Sequence, residues 1–199
     1  MNSNSEILFA SGGFRKLRSF KLARICYDVT VRFVELYIPA NSRTCDQMVQ
    51  AARSGVQNIA EGSVASATSK KTELKLTNVA RASLMELRLD YEDYLRFNGE
   101  SLWNKENSLR NEFIKRKVSS NKMFRAFVEF ALEGKAESVK VSSCPLKSVI
   151  VANAAILLID VAIYCLTRQI SRLSADFVNG GGFSEKMYNT RVNKRKNSL

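Results

Sequence analysis

The sequence predicts an all-helical protein, and within that class an antiparallel four-helix bundle with an inserted helical segment before the last long helix. Three observations lead to this prediction. The 199 residues contain only 2 prolines and 9 glycines, so few residues interrupt secondary structure. Apolar residues recur three and four positions apart over long stretches, as on one face of a helix. The links between the first three of these stretches are short, which favours antiparallel neighbours.

The pattern divides the chain into four segments. Residues 1–13 are polar or small, and we expect a disordered arm. Residues 14–97 contain three helices of the bundle. Residues 98–146 contain inserted short helices and a loop, and residues 147–199 contain the last long helix and a basic tail. The sequence leaves open whether the inserted segment packs on the bundle and whether the tail is ordered.

The first helix is predicted from Phe14 to Ile38, because no proline or glycine interrupts it before Pro39. Its apolar positions are Leu22, Ile25, Cys26, Val29, Phe33 and Leu36. The second helix is expected to begin with a capping box at Thr44 and Gln47. Small and apolar residues then follow at helical spacing, namely Met48, Ala52, Gly55 and Ile59.

The second helix is predicted to end at Glu61, with Gly62 as a left-handed C-cap. Thr68 or Ser69 is the expected N-cap of the third helix, which runs to Phe97 and ends at Asn98 and Gly99. Its apolar stripe consists of Leu76, Ala80, Leu84, Leu87, Tyr91 and Tyr94. Each of the three helices is therefore amphipathic and long enough to span a bundle.

The inserted segment predicts two short helices, one around Leu109 and one around Phe124, followed by a loop over residues 134–145. The last long helix is predicted from Leu146 to Phe177 and is apolar on nearly all sides in its first half. Asp160 makes a membrane span costly, so we expect this helix to be buried, in part against another subunit. The glycine triplet Gly180–Gly182 is expected to end it, and a short helix fraying into a basic end should follow.

The net charge is +12, from 31 Lys and Arg against 19 Asp and Glu. Such an excess indicates a polyanionic partner, which is a nucleic acid, an acidic protein or an anionic membrane surface. The chain has no histidine, which excludes Ser-His-Asp and Cys-His mechanisms and histidine metal sites. We therefore expect no catalytic residue, no metal, no cofactor and no small-molecule substrate. The N-terminus does not have the pattern of a signal peptide, so a cytoplasmic protein is expected.

Three basic sets are the candidates for nucleic-acid binding, because lysine and arginine contact phosphates with little sequence selectivity. They are Arg15, Lys16, Arg18, Lys21 and Arg24 on the first helix, Lys115, Arg116 and Lys117 in the inserted segment, and Arg191, Lys194, Arg195 and Lys196 in the tail. Each set is also compatible with a solvated helix face. The sequence does not decide between these two interpretations.

A second group of residues is interpreted as structural. Asn58 is expected to bond nearby backbone, and Glu61, at a helix end that disfavours its charge, is expected to pair with Arg53 or Arg81. Ser83 and Glu86 lie three residues apart on one helix face, and Glu61 with Glu86 is the one carboxylate pair considered for acid–base chemistry. Asn153 and Asp160 lie seven residues apart, which predicts a buried polar pair that fixes helix register. A ligand site inside the bundle is the alternative for this last pair.

Three motifs carry a family resemblance: Asn58-Ile59-Ala60-Glu61-Gly62, Ser69-Lys70-Lys71 and Ala80-Arg81-Ala82-Ser83-Leu84-Met85-Glu86-Leu87. With them, the segment from Phe14 to about Phe97 resembles the four-helix bundle family first noticed as proteins encoded in intervening sequences of bacterial 23S rRNA genes. The C-terminal half is similar to a narrower subgroup with a "suffix" after the third helix. The matching residues there are Ala152-Asn153-Ala154-Ala155, Arg168-Gln169 and Gly181-Gly182-Phe183.

This resemblance implies a small helical bundle that assembles with copies of itself, as pentameric rings in some members. One relative is the accessory protein of diversity-generating retroelements, which is basic, binds nucleic acid and docks a reverse transcriptase. In the usual member the fourth helix follows the third directly, whereas residues 98–146 intervene here. The resemblance therefore does not by itself predict the pentameric ring or its basic surface for this chain.

We accordingly expect a non-catalytic, cytoplasmic, homo-oligomeric protein that binds nucleic acid through phosphate contacts, with RNA favoured over duplex DNA. The alternative is an adaptor that docks an acidic protein partner, such as a reverse-transcriptase-like enzyme. Membrane association is not expected.

Overall fold

The computed structural model describes residues 13–133, 146–180 and 183–196. In these ranges the chain is helical and has no β-strand, which confirms the predicted all-helical class. A short 3-10 turn at Gly13–Lys16 precedes the first α-helix. The α-helices in chain order are α1 (Arg18–Tyr37), α2 (Arg43–Ala65), α3 (Lys70–Phe97), α4 (Ser108–Arg116), α5 (Asn121–Glu133), α6 (Leu146–Gly180) and α7 (Phe183–Lys196).

Each of the four long helices, α1, α2, α3 and α6, packs against two of the others. Helix α2 contacts α1 and α3, and α6 contacts the same two helices from the other side. Gly55 of α2 faces Leu84 of α3, whereas Gly62 faces Leu76, so these two helices run in opposite directions. The core between the four helices is apolar, with Leu22, Phe33, Ile59, Leu84, Leu87, Tyr91 and Ile159 among its fully buried side chains.

The end of α2 differs from the prediction. The helix continues through Gly62 to Ala65, and Gly62 is a buried helical residue that is not in the left-handed conformation. A Cβ atom at this position would lie 3.3 Å from the backbone oxygen of Glu73 and 3.3 Å from Cβ of Leu76. The glycine therefore permits a close approach of α2 to α3, and its interpretation as a C-cap was wrong.

The helix caps confirm some predictions and correct others. Ser69 is the N-cap of α3, where its hydroxyl accepts a hydrogen bond from the Thr72 backbone NH over 3.1 Å. The N-cap of α2 is Ser42 and not the predicted Thr44, whose backbone NH donates to the Ser42 hydroxyl instead. At the end of α3, Gly99 has a φ of 71°, which is the left-handed turn expected there.

The described part of the inserted segment packs on the long helices. Helices α4 and α5 both contact α6, and the rings of Phe113 and Phe127 meet edge to face with centroids 4.9 Å apart. Trp103 lies edge to face with Phe127 at 6.2 Å. The backbone NH of Trp103 donates to the side chain of Asn153 over 2.8 Å. The structure thus attaches the segment before α4 directly to α6.

Helix α6 has the length and composition of a membrane span, with a mean hydropathy of 2.4 in its most apolar window. In this protein 61% of that window is buried against the other helices, as in the core helix of a folded domain. Several features predicted from the sequence lie outside the described residues. They are the arm before Gly13, the loop 134–145, Gly181 and Gly182 of the triplet, and the last three residues.

Candidate nucleic-acid interface

The basic residues of the 3-10 turn and of the start of α1 are exposed. The apolar residues Leu22, Ile25 and Cys26 are buried, and this leaves the intervening basic positions in solvent. The exposed set consists of Arg15, Lys16, Arg18, Lys21 and Arg24. Arg24 is partly engaged, since it lies 3.6 Å from Asp28 and 5.5 Å from the centre of the Tyr27 ring.

An open groove of about 910 Å³ lies between the start of α1 and the second half of α6. Ser19 of α1 donates a 2.7 Å hydrogen bond to Oε1 of Gln169, which joins the two helices at this point. Arg18 lines the groove from α1, and Arg168 and Arg172 line it from α6. Among the residues that the structure describes, no carboxylate lines the groove, so the described lining concentrates positive charge.

None of the three groove arginines forms an ion pair within the described part of the chain. Arg168 instead donates to the hydroxyl of Tyr164 over 3.2 Å, and its guanidinium lies 6.0 Å from the centre of that ring. This hydrogen bond raises the pKa of Arg168. Unpaired guanidinium groups beside an exposed aromatic ring are the side-chain types that hold phosphates and stack on bases.

Arg168 and Arg172 are not among the binding residues predicted from the sequence. They follow the long apolar stretch of α6, and that stretch dominates the pattern of the helix. Their spacing of four residues, which places both on one helix face, was the available signal. The structure shows the consequence of this spacing, because both residues line the groove that Arg18 lines from α1.

The basic run in the inserted segment is separate from this groove. It closes α4, which packs on α5 and α6 near Trp103 and Asn153, at the opposite half of α6. Arg116 donates to Glu112 over 2.8 Å and stacks on the ring of Phe130 at 4.1 Å, so its charge is already engaged. Lys115 and Lys117 are exposed, and Lys117 is the left-handed residue after the helix.

The basic tail forms α7. Arg191, Arg195 and Tyr188 are exposed. The side chains of Lys194 and Lys196 are not among those that the structure describes. The tail is therefore helical from Phe183 to Lys196, whereas the sequence predicts a short helix that frays into a basic end.

The motif residues on α2 and α3 form a contact between these helices. The hydroxyls of Ser54 and Ser83 are 2.8 Å apart, and Asn58 donates to the backbone oxygen of Ser54 over 2.9 Å. The prediction that Asn58 bonds nearby backbone is therefore confirmed. This polar contact lies beside Gly55, so it belongs to the close packing of α2 on α3.

Glu61 does not have the predicted partner. Both Glu61 and Arg53 are exposed, and neither appears in an ion pair among the described residues. Arg81 donates to Asn78 over 3.2 Å instead. The prediction assumed a helix end at Glu61, where the macrodipole disfavours an anion, but α2 continues past it. Glu86 is also exposed.

Asn153 and Asp160 do not form the predicted buried pair. Asn153 is buried and binds the 101–103 segment, whereas the Asp160 side chain is 45% exposed and accepts a 2.6 Å hydrogen bond from Nε of Arg88 on α3. Arg88 also pairs with Glu92. Burial opposes the charge of Arg88, but the bonds and charges of Asp160 and Glu92 outweigh it and raise its pKa.

Two further cavities border α6. One of about 300 Å³ lies between α1, α5 and α6 and is lined by charges of both signs, including Asp28 and Arg125. The other, of about 230 Å³, lies beside Trp103 and the Arg88–Asp160 pair. Among the residues that the structure describes, no three His, Cys, Asp or Glu side chains lie close enough to hold a metal ion.

The thiol of Cys26 is buried, and this burial raises its pKa.

Comparisons with known proteins give no assignment, because no protein-family model, no curated protein and no solved structure matches this chain.

Proposed function

We propose that this protein is a non-catalytic nucleic-acid-binding protein that holds single-stranded RNA by its phosphates in the groove between α1 and α6. The observation that carries the proposal is the set of three arginines, Arg18, Arg168 and Arg172, around a groove whose described lining has no carboxylate. Arginine presents a rigid fork of donors that matches phosphate oxygens. Lys21 and Arg24 are further exposed cations of α1.

Single strands are favoured over duplex DNA because an exposed aromatic ring lies next to the arginines. Tyr164 is 59% exposed and is already in contact with Arg168. A ring in this position offers a stacking surface to an unpaired base, whereas the bases of a duplex are stacked on each other. The resemblance to a bundle family with a nucleic-acid-binding relative agrees with this proposal.

The architecture that we propose is an antiparallel four-helix bundle formed by α1, α2, α3 and α6, with α4 and α5 as an addition on α6. We also propose a cytoplasmic homo-oligomer. Several copies of a weak phosphate site act together through their effective concentration, so oligomerisation would strengthen binding to a long strand.

Salt dependence tests the phosphate contacts. The affinity for a labelled mixed-sequence RNA is measured by fluorescence anisotropy over a salt series, with duplex DNA in parallel. For single strands log K falls with log salt with a slope of about −0.7 per contacted phosphate. Replacing both Arg168 and Arg172 by glutamine is expected to weaken binding and to reduce the slope by about 1.4.

The matched control replaces Lys71 and Lys75 by glutamine. These residues are also exposed, also four residues apart on a helix, and form no ion pair among the described residues. The control removes the same charge from residues that do not line the groove, so it is expected to leave the slope within about 0.3 of the parent value. Equal effects of the two double variants would contradict a localised site.

The alternative is an adaptor whose positive groove docks an acidic protein. Exposed apolar side chains on α3 and α6 favour it, since Met85 and Leu89 on α3 and Val161 on α6 are all at least one-third exposed. Interfaces between proteins use such apolar residues within a polar rim. Absence of RNA and DNA binding even at low salt would support this adaptor function instead.

A further inference from the structure

The cavity of about 230 Å³ between α3, the 101–110 segment and α6 combines an aromatic wall with polar groups. Trp103, Leu102, Ile156 and Leu157 supply its apolar surface. Ligand pockets usually measure about 300–1,000 Å³, so this cavity suits a single flat group and not a larger ligand.

Some of the charged groups that line this cavity form ion pairs among the described residues, and others do not. Lys105 and Arg110 line it and form no ion pair within the described residues. Asp160 accepts from Arg88 through Oδ1, and no described donor lies within hydrogen-bond distance of Oδ2. The cavity therefore offers an apolar surface, one free carboxylate oxygen and two free cations.

A stripe of exposed residues on α6 connects this cavity with the groove. Asp160, Tyr164, Arg168 and Arg172 follow each other at four-residue intervals and are all exposed. With a rise of 1.5 Å per residue, Asp160 and Arg168 are separated by about 12 Å along the helix axis. A strand whose phosphates bind in the groove can thus pass Tyr164 and reach the cavity.

We propose that the cavity accepts one unstacked base of the bound strand, which lies against Trp103 and donates its exocyclic amino group to Asp160. This inference rests on the proposed function, because the arginines of the groove hold the strand that presents the base. A carboxylate accepts from the amino group of cytosine, whereas uracil has a carbonyl oxygen at that position. The cavity accordingly selects cytosine over uracil, and Lys105 and Arg110 hold the adjoining phosphate.

The test compares three short labelled oligonucleotides of equal length, namely oligocytidine, oligouridine and an abasic strand with the same phosphates. Trp103 is the only tryptophan of the chain, so its fluorescence reports on the cavity alone. Oligocytidine is expected to quench Trp103 and to bind about 10-fold more tightly than the abasic strand. Oligouridine is expected to bind more weakly than oligocytidine.

The variant Asp160→Asn tests the amino contact, and Asp93→Asn is its control. Both aspartates are about half exposed and both pair with an arginine, Asp160 with Arg88 and Asp93 with Arg96, so both replacements change the net charge equally. Asp160→Asn is expected to reduce the preference for oligocytidine over oligouridine to about one. Asp93→Asn is expected to retain it.

Failures of the two proposals are distinguishable. If all three strands bind equally with a steep salt dependence and unchanged Trp103 fluorescence, the base site is overturned while phosphate binding in the groove stands. If the cytidine preference survives in Asp160→Asn, the assigned amino contact is wrong. If no strand binds at low salt, both the groove and the base site are overturned.

Discussion

Tyr91 of α3 donates a hydrogen bond from its hydroxyl to Oγ1 of Thr30 on α1 over 3.1 Å, and both residues are fully buried. Thr30 in turn donates to the backbone oxygen of Cys26 over 2.7 Å. Burial raises the pKa of the Tyr91 phenol, so this hydroxyl stays protonated and needs an acceptor inside the core. The pair joins α1 and α3 across the centre of the protein.

This pair predicts unequal effects of removing its two members. Thr30→Val removes the acceptor and leaves the Tyr91 hydroxyl buried without a partner, which is expected to lower the free energy of unfolding by about 2 kcal/mol. Tyr91→Phe leaves Thr30 bonded to Cys26 and is expected to cost about 1 kcal/mol. Urea unfolding of the two variants measures this difference. A larger loss for Tyr91→Phe would contradict the assigned direction of the bond.

The approach of α2 to α3 predicts an unfavourable glycine-to-alanine change. A Cβ atom on Gly55 would lie 2.8 Å from Cδ2 and 3.0 Å from Cγ of the buried Leu84. Overpacking costs about 1–3 kcal/mol and outweighs the helix propensity of alanine, which is about 1 kcal/mol better than that of glycine. Gly55→Ala is therefore expected to lower the melting temperature.

Gly62→Ala is the matched comparison, because its nearest contacts are looser at 3.3 Å and it is expected to change stability less. In a Leu84→Ala background the clash is absent, so Gly55→Ala should become stabilising. Stabilisation by Gly55→Ala in the parent protein would show that Leu84 is free to move.

The sequence was sufficient to predict the class of fold and the positions of most helices, because the apolar period and the breakers at Pro39, Ser69 and Gly99 are local signals. It was not sufficient for Gly62, since the same residue type serves both a left-handed cap and a close helix contact. The pairing of Arg88 with Asp160 depends on the register between α3 and α6, which no local pattern contains. Of the three arginines that line the groove, only Arg18 was predicted as a binding residue. Arg168 and Arg172 were not, because they follow the long apolar stretch that dominates the pattern of α6.

Asp90 predicts a dependence of stability on pH. Partial burial, followed by the charges of Asp93 and Glu86, raises the pKa of Asp90 from 3.8 to about 6. Because the folded pKa exceeds the unfolded one, the stability that protonated Asp90 contributes is complete below about pH 4 and is lost as pH rises through 6.

Asp90→Asn removes this loss and is expected to raise the free energy of unfolding at pH 8 by about 1 kcal/mol, a value reduced for solvent screening. The gain should shrink as pH falls towards 4. Asp176→Asn, which changes an exposed carboxylate without an ion pair in the described chain, controls for the loss of one negative charge. Thermal unfolding of both variants across this pH range decides, and a gain that is independent of pH would contradict the raised pKa.

Substitution of Asn153 distinguishes two roles for this residue. It either anchors the 101–103 segment to α6 or forms a pair with Asp160 that fixes helix register. Its Oδ1 accepts from the backbone NH of Trp103 over 2.8 Å, and its Nδ2 donates to the backbone oxygen of Val149 over 3.1 Å. Asn153→Ala leaves the Trp103 NH without this acceptor, which is expected to cost about 2 kcal/mol and to shift Trp103 emission to longer wavelength.

Asn111→Ala is the control, since Asn111 is exposed and its side chain, among the described residues, donates to the backbone oxygen of Lys105 over 3.1 Å. This change is expected to cost less than about 1 kcal/mol and to leave the emission unchanged. If Asn153 instead acted with Asp160 to fix helix register, Asp160→Ala would reproduce the effect of Asn153→Ala. We expect Asp160→Ala to remove only a half-exposed ion pair, worth at most about 1 kcal/mol, without the stability loss of Asn153→Ala.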